Sequence, residues 1–324
     1  MTSREPRRPP ILARLATLVV STVVALGLAE LGLRLAFPGQ AFVRGRPQWN
    51  LDAANARRHV YDQHDELGFI PVLDGEQFDE HAVRRNDYAY EKRPDVTRLL
   101  FVGDSVTARG RIVRALQAMH DEGRFEFWNA GVEGYNTWQE VELYRRWNHA
   151  VAPDHVILTF HNNDFELTPV TFLDGEGQLV VYAPRFPLQG VDPWFFRNSH
   201  LYRLLTARLA GEGEDFSKEA AMRATLAGFR DELAADGIRL SLVVFPVLEE
   251  PDAWNVRQQR SRERILRIAD QLGLRTFDLM PALEHMLAEE IPMEEQPGDP
   301  LHPNNQAAIR FAAFLKEQGL LTGG

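Results

Sequence analysis

The apolar and polar positions divide the chain into three stretches. An uncharged, largely apolar run covers 15–29, and its tail, interrupted by Glu30 and Arg34, ends at Phe37-Pro38. Residues 39 to about 95 are polar with few periodic apolar positions, and read as a stalk followed by an irregular segment that wraps the rest. From Arg98 onward, short apolar runs alternate with amphipathic stretches. The runs 99–102, 125–128, 156–160, 240–245 and 275–277 are each bounded by Gly, Pro, Asn or Asp and predict five strands. Helical spacing falls near 109–121, 136–150, 217–236 and 255–272, with a last helix from about 304 to 318. Strands alternating with helices predict a parallel sheet covered on both faces. Five of them predict an α/β fold of three layers, α/β/α, doubly wound and flavodoxin-like, with its sites at the C-terminal ends of the strands.

One segment breaks this rhythm. Residues 166–213 are too long for a simple connection between elements. Within them, Val170-Thr171-Phe172-Leu173 and Leu179-Val180-Val181-Tyr182 flank Asp174-Gly175-Glu176-Gly177, which predicts a β-hairpin. The segment reads as an insertion, either a lid or substrate wall or a packing appendage. The expected layout is therefore an N-terminal anchor at 1–38, a stalk and wrapping segment at 39–95, and the main domain at 96–324 carrying the insertion.

Charge sharpens the reading of the N-terminus. Arg4, Arg7, Arg8 and Arg14 against Glu5 make the first fourteen residues +3, which leaves −13 for the rest of a chain whose net charge is −10. Fifteen uncharged residues are short for a span of about 20. Arg14 and Glu30 can both snorkel, which makes the stretch long enough to cross. The flanking arginines predict an N-terminus in the cytoplasm and a body outside it. A cleaved signal peptide is the main alternative, but no clear A-x-A site follows the run, and an uncleaved signal anchor is the preferred reading. A buried core helix is the third.

Composition removes several function classes. The acidic body lacks the clustered Lys and Arg of a nucleic-acid surface, so no nucleic-acid partner is expected. With no cysteine in the chain, disulfides, thiolate catalysis and cysteine-type zinc sites are excluded. There is no His-Glu-x-x-His, His59 and His64 lack a supporting acidic cluster, and no Gly-rich phosphate loop is present. No metal and no cofactor are expected.

Four short blocks at the ends of successive elements carry the candidate chemistry. Gly103-Asp104-Ser105-Val106 follows the first strand, so Ser105 would open a helix whose N-terminus favours developing negative charge. Asn129-Ala130-Gly131-Val132-Glu133-Gly134 follows the second, where a glycine lets the backbone point an N–H into a site. An ordinary turn reads the same way. Asn162-Asn163-Asp164 follows the third, and a side-chain amide there is a neutral donor able to hold an oxyanion, or simply a polar loop or helix cap. Asp299-Pro300-Leu301-His302-Pro303-Asn304 precedes the last helix. Asp and His three apart in a turn restricted by two prolines can lie side by side, the carboxylate holding one ring nitrogen and aiming the other at Ser105.

Taken in order, these blocks resemble the SGNH (GDSL) hydrolase superfamily over about residues 96–320. Its serine, glycine, asparagine and histidine match Ser105, Gly134, Asn163 and His302, with Asp299 as the third member of the triad. The N-terminal run and Glu66-Leu67-Gly68-Phe69-Ile70-Pro71 resemble membrane-anchored bacterial members. Two positions depart from the family pattern. Val106 replaces a leucine, and His161 stands where the third block usually starts with glycine, as a crowding group, a donor or a wall of the site. The resemblance implies an esterase in which His302 takes the proton of Ser105, Asp299 orients His302, and the N–H groups of Ser105 and Gly134 with the Asn163 amide hold the oxyanion. An extracytoplasmic hydrolase of small acyl esters, or of acylated glycan or lipid, is the first reading. An O-acyltransferase using the same serine and a non-catalytic envelope-assembly protein on the same scaffold are the alternatives.

Overall fold

The structure, a computed structural model, describes residues 11–37, 48–50, 59–120, 123–173, 177–182, 191–209 and 218–321. The arginine-rich start at 1–10, parts of the expected stalk at 38–47 and 51–58, and the hairpin turn at 174–176 lie outside the described residues. Helix α1 (Ile11–Ala36) precedes three short strands, β1 (Gln48–Asn50), β2 (Tyr61–His64) and β3 (Gly68–Pro71). Then come β4 (Thr97–Val102), the single turn α2 (Ser105–Ala108), α3 (Arg111–Ala118), β5 (Phe125–Asn129), α4 (Thr137–Arg146) and β6 (His155–Phe160). The insertion holds β7 (Val170–Leu173), β8 (Leu179–Tyr182), α5 (Pro193–Asn198) and α6 (His200–Leu209). The chain continues with α7 (Lys218–Ala235), β9 (Arg239–Val244), α8 (Val256–Leu272), β10 (Arg275–Asp278), α9 (Met280–Ala288) and α10 (Asn305–Glu317).

Five strands pair in the order β5-β4-β6-β9-β10, all parallel. This is the expected doubly wound sheet. Its strand order places β4 between β5 and β6, at the point where the winding reverses, and ligand crevices form there. Alternation along β4 builds the two faces. Leu99 and Phe101 pack with α3, α9 and α10, whereas Leu100 and Val102 pack with α4, α7 and α8. Asn136, Asn255 and Asn304 cap α4, α8 and α10 by accepting from backbone N–H groups in the first turns, which fixes where these helices begin.

The structure departs from the expected elements in four places. The helix expected at 109–121 is cut at Gly110, whose left-handed conformation (φ 67°) ends α2 and lets α3 start in a new direction. The wrapping segment is not wholly irregular, because β2 and β3 form a hairpin and β1 adds an edge to β8. These strands are only three or four residues long, so their pattern carries little period-two signal. Helix α9 was not expected; Pro281 at its first turn and its few polar residues mask the periodicity. The insertion contains two helices after its hairpin.

Arg98 fastens the wrapping segment to the sheet. Fully buried, it pairs with Glu126 at 2.7 Å and donates to the carbonyls of Ala89, Tyr90 and Val151. A buried guanidinium is tolerable only when its donors are met in this way.

Candidate active site

Ser105 is the first residue of α2, immediately beyond β4. Asp104 makes the turn possible, because its carboxylate accepts from the Val106 N–H at 2.9 Å and caps the helix. Gly103 and Gly131 are required by close approach. A Cβ on Gly103 would lie 2.3 Å from the Thr107 hydroxyl, and one on Gly131 would lie 2.3 Å from the backbone nitrogen of Ala108. The loop after β5 therefore lies directly against the helical turn that carries Ser105. Asn129 holds it there, donating to the Thr107 carbonyl at 2.8 Å and accepting from Gly131 N–H at 2.8 Å.

His302 reaches the serine across 197 residues of sequence, with Nε2 2.8 Å from Ser105 Oγ. Its other nitrogen, Nδ1, lies 2.8 Å and 3.1 Å from the two carboxylate oxygens of Asp299. With Nδ1 carrying its proton toward the carboxylate, Nε2 is the lone-pair acceptor and the Ser105 hydroxyl donates. Burial acts against the Asp299 charge. Hydrogen bonds from His302 and from Leu301 N–H outweigh it and hold the carboxyl below its ordinary range. The turn is held from outside as well. Leu248 N–H donates to Pro300, Glu295 N–H donates to the His302 carbonyl, and Asn304 N–H donates to Met293.

A charged clamp joins this turn to the segment that carries Ser105. Glu295 accepts from both terminal nitrogens of Arg111, at 2.5 and 2.9 Å, and lies 3.3 Å from Arg109. Arg111 is the main reason the Glu295 carboxyl lies below its ordinary range. Glu295, Asp299 and His302 each bring one donor atom within 4.8 Å of the others. Each is already committed to another partner: Glu295 to the arginines, Asp299 to His302, and His302 to Ser105. The sequence offered no sign of Arg109, Arg111 or Glu295, because ion pairs between distant segments leave no local pattern.

Gly134 takes a left-handed conformation (φ 75°), as a glycine in that loop permits. Asn163 opens toward the same loop, its Nδ2 donating to the Tyr135 carbonyl at 3.2 Å. His161, buried, lies with Nδ1 3.2 Å from Asn163 Oδ1. Burial drives its pKa below the ordinary value against the pull of Asp104 and Asn163, so the ring is neutral and can donate from Nδ1. The imidazole Nδ1 thus lies against the carbonyl end of the asparagine amide, while the buried Nε2 has no hydrogen-bond partner among the described residues. Asp164 accepts from His161 N–H and closes the same turn. Behind it, buried Glu140 on α4 has no hydrogen-bond partner for either carboxylate oxygen among the described residues. Burial, with Asp164 and Asp104 nearby, drives its pKa well above the ordinary value.

The sequence model of the GDSL-like Lipase/Acylhydrolase family matches residues 101–308. No curated protein matches the chain. Among solved structures, LAE5, an alpha/beta hydrolase enzyme from the metagenome of Lake Arreo, Spain, is similar at 18% identity and a TM-score of 0.46, over 72% of this chain and 99% of that one. Axe2, an acetylxylan esterase from Geobacillus stearothermophilus, is similar at 18% identity and a TM-score of 0.45, over 70% and 97% of the two chains. The acetyl xylan esterase AlAXEase is similar at 15% identity and a TM-score of 0.46, over 68% and 99%.

Proposed function

Because the chain belongs to the GDSL-like lipase/acylhydrolase family and is an ester-hydrolysing enzyme, we propose that Ser105 is its nucleophile, acting outside the cytoplasm on a small acyl ester or an acylated glycan or lipid. The observation that carries this reading is the continuous Asp299–His302–Ser105 hydrogen-bond chain at the winding reversal of the sheet.

In the first half-reaction the Ser105 Oγ–H proton passes to His302 Nε2 as Oγ bonds to the ester carbonyl carbon. Asp299 stabilises the imidazolium that results. The negative charge forming on the carbonyl oxygen is met by the N–H groups of Ser105 and Gly134 and by Asn163 Nδ2, with His161 fixing the amide. The C–O bond to the alcohol then breaks and His302 returns the proton to the leaving oxygen. In the second half-reaction water gives its proton to His302 and its oxygen to the acyl carbon. The Oγ–C bond breaks and Ser105 recovers its proton.

Helix α1 is apolar and none of its residues is buried, which supports a membrane anchor at 1–38. Arg4, Arg7 and Arg8 before it and Arg14 near its start support a cytoplasmic N-terminus, a stalk and wrapping segment at 39–95, and a hydrolase domain at 96–324 on the other side.

Three measurements test the reading, the first two on the full chain in detergent. A fluorophosphonate probe should label the wild-type protein and fail on Ser105→Ala; labelling of both would remove Ser105 from the role. A chromogenic acetate ester should turn over, and an added glycan should not divert the acyl group. Transfer to glycan that far outpaces hydrolysis would replace the hydrolase with an O-acyltransferase. Intact mass from the membrane fraction should include residues 1–38; a protein beginning later would mean secretion after cleavage.

A further inference from the structure

The C-terminal end of α1 is attached to the insertion by specific contacts. Glu30 accepts from the backbone N–H groups of His200 and Leu201, at 2.9 and 2.8 Å, and from the Ser199 hydroxyl at 2.9 Å. Arg34 bridges to Glu30 at 2.7 Å and also donates to the Asn198 carbonyl. The carboxylate of the apolar helix thus caps the N-terminus of α6, where the helix dipole favours it. Its two oxygens accept four hydrogen bonds from protein groups, as a charge near hydrocarbon requires.

This attachment sets a depth. Residues 11–29 precede Glu30 in α1. They rise about 28 Å, close to the hydrocarbon thickness of about 30 Å. With α1 across a bilayer, Glu30 lies at the outer hydrocarbon boundary, and α5 and the start of α6 are carried to headgroup depth with it. There they expose Trp194 (64%), Phe195 (51%), Leu205 (50%) and Leu209 (58%). All four lie within about 15 Å of the Glu30 contacts, given the helical rise. Leu205 and Leu209 lie four apart on one face of α6, and Trp194 and Phe195 stand on α5 just before the capped turn. Beyond α1 and Phe37, the other exposed large apolar residues among those described, Trp138, Leu173, Val256 and Ile309, are isolated in the sequence. A tryptophan, a phenylalanine and two leucines beside a spanning helix match the composition of the membrane–water boundary.

We infer that α5 and α6 form a membrane-surface collar, whose Trp194, Phe195, Leu205 and Leu209 side chains enter the outer headgroup–acyl boundary of the bilayer that α1 crosses, with Glu30 locking the two together. The inference rests on the anchor proposed above. It makes the insertion the bilayer-facing part of the molecule, in place of the lid or substrate wall considered from the sequence.

The absence of cysteine makes single-site labelling direct. The full chain is reconstituted in vesicles of phosphatidylcholine and phosphatidylglycerol, with one nitroxide at Phe195→Cys, Leu205→Cys, Leu209→Cys, Val24→Cys or Val256→Cys. The ratio of collisions with oxygen to collisions with a water-soluble nickel chelate reports depth. Labels at 195, 205 and 209 should show a ratio several-fold above that at 256, and adding Glu30→Ala should make the label at 205 markedly more mobile. A ratio at 205 and 209 equal to that at 256, with the label at 24 deep in the bilayer, overturns the collar and leaves the anchor standing. An aqueous label at 24 overturns both. Labels at 205 and 209 shielded from both reagents mean that protein covers this face, which also overturns the collar. Unchanged mobility at 205 in Glu30→Ala overturns the lock.

Discussion

His161 Nδ1 lies 3.2 Å from Oδ1 of Asn163, two residues further on. A neutral imidazole donating there turns the amide so that its Nδ2 end faces the Tyr135 carbonyl and the Gly134 loop. The residue that departs from the family pattern is therefore coupled to Asn163.

Asn163→Ala should lower kcat by about 10²–10³, the usual loss for one oxyanion donor, with little change in KM. His161→Phe keeps the volume and removes the donor, so a smaller loss of roughly fivefold is expected, corresponding to one hydrogen bond of about 1 kcal/mol. In the double variant the two losses should not multiply, because the histidine acts through the amide. Steady-state kinetics on a chromogenic ester checks all three, and an Asn163→Ala rate near wild type would remove the amide from the oxyanion site.

Asp299→Asn should drop kcat by about 10⁴ while leaving the fold intact. The amide can donate to Nδ1, which moves the imidazole proton to Nε2 and leaves no lone pair facing Ser105. Circular dichroism alongside kinetics separates this from unfolding.

The contribution of Glu140 to stability should fall as pH rises. Glu140 is held neutral, and its pKa in the folded state lies above the unfolded value of about 4.3. Its contribution is fully present below that unfolded pKa and is lost as pH climbs through the folded one. Glu140 is favoured over Asp164 as the proton's holder because Asp164 accepts from His161 N–H whereas neither Glu140 oxygen has a described partner. Glu140→Gln should therefore flatten the fall of Tm between pH 5 and pH 9. An unchanged slope in detergent-solubilised protein would mean that the carboxyl is already ionised.

Gly131→Ala should cost about 1–3 kcal/mol and most of the activity, because the new Cβ meets the backbone of the turn that carries Ser105 at 2.3 Å. Denaturant unfolding and ester turnover should fall together. Gly177→Ala, whose Cβ would meet nothing within 4 Å but whose φ of 76° strains an alanine, should lose stability and keep its activity.

Arg111→Met should weaken the clamp on Glu295 and loosen the turn bearing His302. Ester turnover should fall by roughly tenfold, the scale of a partly buried charged hydrogen bond, with labelling of Ser105 by the fluorophosphonate slowed in proportion. Labelling at the wild-type rate would show that the clamp does not position the histidine.

By itself the sequence determined the layered α/β fold, the five strands and their helices, and the order of the four blocks, because burial on both faces of a parallel sheet demands short apolar runs and leaves turn residues at their ends. It also marked Asp299 and His302 as neighbours, since three residues in a proline-restricted turn have few ways to lie apart. Tertiary structure decided what comes from far away in the chain. The strand order brings the end of β4 beside Tyr135 and Asn163, and the Glu295–Arg111 pair joins segments 184 residues apart. Close packing makes Gly131 necessary although nothing in its local pattern distinguishes it from an ordinary turn glycine. Glu30, read in sequence only as an interruption of an apolar run, gains its partners from α6, 170 residues on. Contacts between distant segments depend on the folded path of the chain, and that path leaves no periodicity at either end.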